Sequence, residues 1–406
     1  MLSELTALQS IDTSIGEFDA SKHALFAAGS HCYITHHPQH RFTAGIEDHE
    51  ALAQRVTRAL AQNENDNAIA FGVLPFCKSQ QAQFIIADQV RKYDKETFTR
   101  WLSAKNSLHH PHTPNLERVV HRQSQQHYEH AINRAKGCFA SGLLEKIVLA
   151  KQSDLYFDDV LQPDVVLADL LTQSSSGFHF SFPTEQRTTL MGVSPELLLR
   201  KQGQSIMSNP LAGSTKRVSD MALEFKRKQA LMASKKDRYE HAVVLAEMSQ
   251  VLQPWCDKLS IPSSPSLLST ATMWHLSTVI EGQLKNPDTH VLSLANRLHP
   301  TPALCGKPTA AAYPWIETLE GESRGFFSGI VGWCDKQGNG EWVVVIRCGE
   351  LNDNHAKLFA GAGIVAASDP TSEWFETEAK MSTMLNALNA SERYHQLSQT
   401  ELLESA

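Results

Sequence analysis

The sequence has no apolar run approaching the roughly 18 residues of a membrane-spanning helix, so no membrane span and no membrane partner are expected. It also lacks a C-x-x-C pair. Its seven cysteines, scattered from Cys32 to Cys348, are odd in number. That pattern argues against a disulfide framework and a structural zinc site, and it fits a reducing compartment. The start, Met1-Leu-Ser-Glu-Leu-Thr, has no basic stretch leading into an apolar one. No signal peptide is therefore expected, and the cytoplasm is the expected location. Positive charge is scarce as well: the formal net charge is -7, which is unlike a general nucleic-acid binder. The most basic stretch, Lys216 to Arg238, also contains Asp220, Glu224 and Asp237, and it reads as a solvated helix face.

Several chemical signatures are missing too. There is no phosphate-cradling G-x-x-x-x-G-K-[ST], no H-E-x-x-H and no G-x-S-x-G; Gly192-Val-Ser194-Pro-Glu196 approaches the last but lacks its final glycine. Gly361-Ala-Gly363-Ile-Val-Ala366 formally fits a dinucleotide fingerprint. Its helix, however, starts only at Pro370 and no second strand follows, so these glycines read as a place where a small ligand touches backbone. The histidines at His36, His37 and His40, and at His109, His110 and His112, read as polar loop residues.

What is present is an ordinary globular composition: 406 residues, 42% hydrophobic and 20% charged. A substantial core is expected, within one large domain spanning 1–406. Helical periodicity marks Asp48 to Asn63, His127 to Ala140, Met221 to Ser234 and Asp237 to Leu252. Strands are expected at Ala68 to Phe76, Lys146 to Ala150, Phe178 to Phe182, Phe326 to Trp333, Trp342 to Arg347 and Lys357 to Val365. Ser277 to Ile280 looks extended. Ser107 to Asn115 reads as a loop between a motif-poor part, 1–115, and the rest. The turns Asp335 to Gly340 and Asn352 to Asn354 join hairpin strands. A last helix is expected from Pro370 to about Asn389. The class is α+β, with large antiparallel sheets in a sandwich-like core flanked by helices.

Ser368-Asp-Pro370 is a helix start, and Glu373, Glu376 and Lys380 then share one helix face. On a second helix Asp237 and Glu240 stand three apart, with His241 next. Each set alone would be a solvated face. Together, hard oxygen donors from two helices suit magnesium.

Ten segments, in order, resemble the chorismate-utilising enzymes, the family of isochorismate, salicylate, anthranilate and aminodeoxychorismate synthases. They are Glu145-Lys-Ile-Val-Leu-Ala150, Gly192-Val-Ser-Pro-Glu196, Pro210-Leu-Ala-Gly-Ser214, Lys236-Asp-Arg-Tyr-Glu240-His241 and Trp274-His275-Leu276. His299-Pro-Thr-Pro-Ala303-Leu304-Cys-Gly306, Phe327 to Trp333, Val345-Ile-Arg347, Ala360-Gly-Ala-Gly-Ile364 and Glu373 to Lys380 complete the set. They cover about 120–390, which is the expected catalytic part. The nearest resemblance is to the isochorismate synthases of catecholate siderophore pathways, of the enterobactin type, which feed 2,3-dihydroxybenzoate formation.

The resemblance implies an isomerase acting on chorismate with Mg2+. Isochorismate formation adds water at C2 and expels the 4-hydroxyl. It implies Lys146 as the base, which must lose a proton that lysine ordinarily keeps. It implies Glu196 as the acid, which must keep one; its flanks, Val-Ser-Pro and Leu-Leu-Leu, are apolar enough to favour that. It implies Glu240 and Glu376 as metal ligands, with Asp237 and Glu373 acting through water or behind them. Arg347 and Lys380 match positions for the enolpyruvyl carboxylate, with Lys380 a clamp on substrate instead of a partner for Glu376. His275 would face the ring carboxylate, and Gly213, Ser214, Ala303, Leu304, Gly361 and Gly363 would line the ligand.

Within the family, lysine at 146 and alanine at 212 point to water, not ammonia, as nucleophile. Salicylate synthases usually carry threonine where this chain has Ala303, which favours stopping at isochorismate. The alternatives are a salicylate synthase, a menaquinone-pathway isochorismate synthase and a non-catalytic amidotransferase-type subunit. The full acid, base and metal set speaks against the last. A monomer is the expected state.

Overall fold

The computed structural model describes residues 18–109 and 113–404, together with Ile15. In chain order the strands are β1 (Leu25–Ala28), β2 (His31–Gly45), β3 (Ile69–Leu74), β4 (Gln81–Asp94), β5 (Leu116–His121), β6 (Lys146–Phe157), β7 (Phe178–Pro183), β8 (Thr189–Ser194), β9 (Leu197–Gln202) and β10 (Ser205–Asn209). They continue as β11 (Leu211–Lys216), β12 (Cys256–Ser260), β13 (Ser266–Ser269), β14 (Met273–Ser277), β15 (Ile280–Leu284), β16 (Gly306–Lys307), β17 (Ile330–Asp335), β18 (Gly340–Val344), β19 (Cys348–Asn352) and β20 (His355–Ile364). The helices are α1 (His49–Ala61), α2 (Lys95–His109), α3 (Gln125–Ala140), α4 (Pro163–Gln173), α5 (Met221–Ala233), α6 (Lys235–Leu252), α7 (Val291–Leu298), α8 (Thr309–Glu320), α9 (Pro370–Ala387) and α10 (Ser391–Glu404).

Among the described residues seventeen strands form one continuous antiparallel ladder. It runs β5-β6-β20-β19-β8-β7-β1-β2-β4-β3-β17-β18-β9-β10-β15-β12, with β16 on the same edge of β6 as β5. A smaller sheet, β11-β14-β13, stands apart. The long ladder folds so that its two halves face each other across Phe26, Phe71, Val73, Phe180, Phe182, Val343 and Phe359. Helices cover the outer faces: α2, α4, α9 and α10 on one side, α1, α6 and α7 on the other, with α3 and α8 beside β6 and β20. Each fully buried large apolar side chain in these layers contributes roughly 1.5–3 kcal/mol.

Local sequence explains the boundaries. Asp48 caps α1 by accepting from the Glu50 and Ala51 amides, and Asp369 caps α9 through the Ser372 amide, with Pro370 in the first turn. The Asp335 carboxylate accepts from the Gln337 and Asn339 amides and so shapes the β17–β18 hairpin.

The α+β class and the antiparallel hairpins are as expected, but several boundaries differ. β6 runs to Phe157, well past Ala150, because its whole length is paired by β20. Residues 325–328 form a turn, and β17 begins only at Ile330. β18 ends at Val344; Arg347 leaves the ladder with φ of 53°. Ser277 ends β14 and Ile280 begins β15, with two residues between them. His36, His37 and His40 lie within β2, not in a loop; the strand absorbs Pro38 through a register shift between His36 and Gln39. The expected loop begins later than Ser107, since α2 reaches His109; His110 and His112 lie outside the described residues, as does Met1 to Thr6. The helix from Pro370 is not the last, because α10 follows it. Among the described residues no helix is long and apolar enough to cross a membrane.

Candidate active site

Six elements converge on one pocket. The start of β6 supplies Lys146, and β20, paired Val148↔Gly363 and Ile147↔Ile364, supplies Gly361 and Gly363. The β11–β14 pair puts Ser214 opposite His275. The first turns of α6 carry Asp237 and Glu240, and α9 carries Glu373, Glu376 and Lys380. Glu196 and Arg347 enter from the loops that end β8 and β18.

Lys146 is fully buried, with Nζ 2.9 Å from Glu240 Oε1. Among the described residues no aligned hydrogen bond satisfies that ammonium, so the contact is ionic and imperfectly directed. Gly363 makes room for the pair: a Cβ there would lie 2.0 Å from Glu240 Oε1 and 3.1 Å from Lys146 Cε. Gly213, at φ of 79°, likewise admits Asp237, whose Cβ would be 2.8 Å from an added Cβ. Glu376 Oε1 accepts from Ser214 Oγ at 2.9 Å and pairs with Lys380 Nζ at 2.6 Å; Lys380 also donates to Gly361 O at 2.9 Å. Glu373 pairs with Lys236 Nζ at 2.7 Å. Arg347 Nη2 lies 3.4 Å from His275 Nε2, while its buried Nε has no hydrogen-bond partner among the described residues.

Burial sets the charges. It pushes the Glu196 carboxyl up to about 7, against the Leu211 amide and the cations Lys146, Arg347 and Lys380, which draw it down. Glu196 therefore holds a proton for much of its population near neutrality. Burial, then Arg347 and Lys380, press His275 well below the ordinary histidine range, so it is neutral and accepts from Arg347 at Nε2. Burial lowers Arg347 to about 10, which leaves it cationic at neutral pH. The two carboxyls of α9 part company. Burial and then Glu376 raise Glu373; for Glu376 burial is outweighed by Lys380, Lys236 and the Ser214 hydroxyl, which hold it low. Burial also raises Asp237, with Glu240 and Glu376 adding to it.

Of the expected residues, Glu196, Gly213, Ser214, Glu240, His275, Ala303, Leu304, Arg347, Gly361, Gly363, Glu376 and Lys380 line the pocket together. Lys146 stands behind Glu240, Glu373 behind Lys236, and Asp237 behind Gly213. One expectation is corrected: Lys380 does pair with Glu376, because both line the same buried helix face four residues apart. Lys236 carried no expected role. Burial opposes its charge, but Glu373, Glu240 and Glu376 outweigh that and keep it protonated. Its place beside Asp237 in a recognised motif was the available signal. The apolar wall of Val148, Pro195, Phe327, Ile346 and Phe359 was also missed. His241 turns away, bonding Thr278 Oγ1 at 2.7 Å through Nε2.

A divalent cation fits by donor chemistry. Four largely buried carboxylates, Asp237, Glu240, Glu373 and Glu376, act on one another electrostatically and offer hard oxygens. Their heads are turned to lysines: among the described residues no three Asp, Glu, His or Cys side chains converge as a ready cation site.

A family model described as "Chorismate binding enzyme" matches residues 59–389. The chain is 38% identical over 380 residues to isochorismate synthase DhbC of Bacillus subtilis (strain 168), covering 91% of this chain and 93% of that protein. It is 42% identical over 326 residues to isochorismate synthase EntC of Escherichia coli (strain K12), covering 79% and 81%. The crystal structure of the putative 2,3-dihydroxybenzoate-specific isochorismate synthase DhbC from Bacillus anthracis superposes with a TM-score of 0.83 at 33% identity, over 96% of this chain and 100% of that one. The chain belongs to the chorismate binding enzymes.

Proposed function

We propose that the protein is an isochorismate synthase, an isomerase that converts chorismate to isochorismate. The observation that carries this reading is Glu196: a buried carboxyl raised to about 7 that lines the pocket, within the field of the buried Lys146. That is the arrangement an acid-and-base pair needs to exchange one hydroxyl for another near neutral pH.

The step needs Lys146 as the neutral amine, not as the ammonium paired with Glu240; in that form it accepts a proton from water as the water oxygen bonds to C2. The diene shifts, the C4–O bond breaks, and Glu196 delivers its proton to the departing hydroxyl, which leaves as water. One water enters and one leaves, so the product is an isomer. Arg347, with an unpartnered Nε, and Lys380 bind the enolpyruvyl carboxylate; the planar guanidinium can meet both oxygens. Neutral His275 and the backbone at Gly213, Ser214, Gly361 and Gly363 position the ring. Leu304 and Ala303 complete the pocket wall, and the small Ala303 side chain favours release before pyruvate is eliminated.

Magnesium is the proposed cofactor, held by Glu240 and Glu376 with Asp237 and Glu373 supporting them, and it supplies positive charge against which the ring carboxylate can bind. The three lysines that face these carboxylates here, Lys146, Lys236 and Lys380, neutralise the cluster within the chain itself. The 2,3-dihydroxybenzoate-specific description of the structural relative supports use of the product in dihydroxybenzoate and siderophore synthesis over the menaquinone pathway. The catalytic part is proposed to span 120–390 of a single domain, working as a monomer in the cytoplasm.

The test is product analysis. Purified protein with chorismate and magnesium should yield a product of unchanged mass, and EDTA should stop the reaction. Stoichiometric pyruvate release would make it a salicylate synthase. An ammonia-dependent amino product, or turnover that survives chelation, would overturn the reading or its metal.

A further inference from the structure

A second buried lysine lies five residues along β6 from Lys146 and on the other face of the strand. Val148 points into the pocket, while Ile147 and Leu149 join the helix-covered core. Lys151 shares the parity of Ile147 and Leu149, is 1% exposed, and does not line the pocket. Burial presses its amine well below the ordinary lysine range; the amine sits 3.5 Å from the centre of the Trp374 ring and pairs with the Glu378 carboxylate, the two contacts that favour its charged form. Trp374 and Glu378 stand four residues apart on α9, on a different face from Glu373, Glu376 and Lys380. Trp374 also packs edge-on against Tyr128 at 5.7 Å, and the Tyr128 hydroxyl donates to Leu149 O at 2.9 Å on the same strand.

We infer that Lys151 is a positioning residue that fixes the rotation of α9 on β6 and thereby aims Glu376 and Lys380 into the pocket. The geometry makes this direct. One strand carries Lys146 to the reacting side and Lys151 to the supporting side, so the base and the helix bearing the substrate clamp are referenced to the same backbone. A buried ammonium is held only where a carboxylate or ring face meets it, so its two contacts define one helix orientation and disfavour others. Side-chain heads lie about 5–6 Å from a helix axis. A rotation of about 10° therefore shifts Glu376 and Lys380 by about 1 Å, a misplacement that costs on the order of 100-fold in a positioned reaction. Apolar packing of Trp374 and Met381 permits small rotations; an ion pair with a ring-stacked cation resists them more sharply.

The inference rests on the proposed roles of Glu376 and Lys380 in substrate binding, and its test separates the two. The magnesium-loaded enzyme and its variants Lys151→Met, Lys151→Arg and Glu378→Gln are compared for KM, kcat and amide hydrogen exchange over 370–387. Lys151→Met and Glu378→Gln should raise KM for chorismate about tenfold or more, lower kcat less, and speed exchange in α9. Lys151→Arg, which keeps both contacts, should stay close to the parent. A role in bulk stability alone would lower the melting temperature and the active fraction while leaving KM unchanged, and that result overturns the inference. Equal losses in Lys151→Arg and Lys151→Met overturn it too. If Lys151→Met fails to fold, Glu378→Gln decides by the same criteria. If the parent shows no chorismate turnover, the proposed function fails, and exchange in α9 still decides the anchoring.

Discussion

Replacing Glu196 by glutamine should make the protein inactive and, at alkaline pH, more stable. The side chain is 3% exposed, and its carboxyl is raised from 4.5 to about 7. A tenfold change in proton affinity corresponds to about 1.4 kcal/mol, so this carboxyl carries a conformational cost of roughly 3 kcal/mol once ionised. The direction follows from which state holds the proton. Below about pH 4.5 folded and unfolded chains are both protonated and the cost is absent. Between there and about 7 the unfolded chain releases the proton that the folded chain keeps, so stability falls as pH rises; above about 7 the full cost applies. Glutamine keeps the shape and an acceptor for the Leu211 amide but has no charge to bury. Urea denaturation in EDTA should therefore show Glu196→Gln close to the parent at pH 5 and about 3 kcal/mol more stable at pH 8.5, with kcat reduced about 10²–10⁴-fold. In the parent, kcat should fall above about pH 7 as the acid ionises. A stability difference independent of pH, or turnover near the parent's, would refute the assignment of a buried, protonated acid.

Other perturbations test the pairing around it. Lys146→Ala should abolish turnover and cost about 3–5 kcal/mol in urea denaturation, because Glu240 is left buried without its cation; adding Glu240→Gln should restore most of the stability and none of the activity. Gly363→Ala should cut turnover about 100-fold while leaving the far-ultraviolet circular dichroism unchanged, since its Cβ would reach 2.0 Å from Glu240 Oε1; Gly361→Ala, whose nearest contact is Leu149 O at 3.3 Å, should be milder. Arg347→Lys should raise KM more than it lowers kcat in steady-state kinetics, since one ammonium cannot replace a planar fork.

The hairpins of the C-terminal half were legible because Asp335 to Gly340 and Asn352 to Asn354 are turn sequences between alternating strands. The long β2–β4 pair was not, since His31 to Gly45 carries three clustered histidines and Pro38, which read as a loop, and only tertiary pairing overrides that. The α9 face could be read from helical spacing, and the setting of Glu196 from its apolar flanks. What spacing could not supply was partnership across the chain: Lys146 with Glu240, Lys236 with Glu373, and Lys151 with Glu378 join residues that are distant in sequence. Arg347 was read as a strand residue because Val-Val-Val-Ile precedes it. Its departure from the ladder at φ of 53° is what turns the guanidinium toward His275.

The central claim is that water adds to the ring while the original hydroxyl leaves. Turnover of chorismate in water enriched in oxygen-18, followed by mass spectrometry, tests it directly. The account predicts one heavy oxygen in the product, located at C2, with none in recovered chorismate beyond what the reverse reaction returns. A product without label would mean that the hydroxyl migrates within the molecule, and it would contradict the roles given to Lys146 and Glu196.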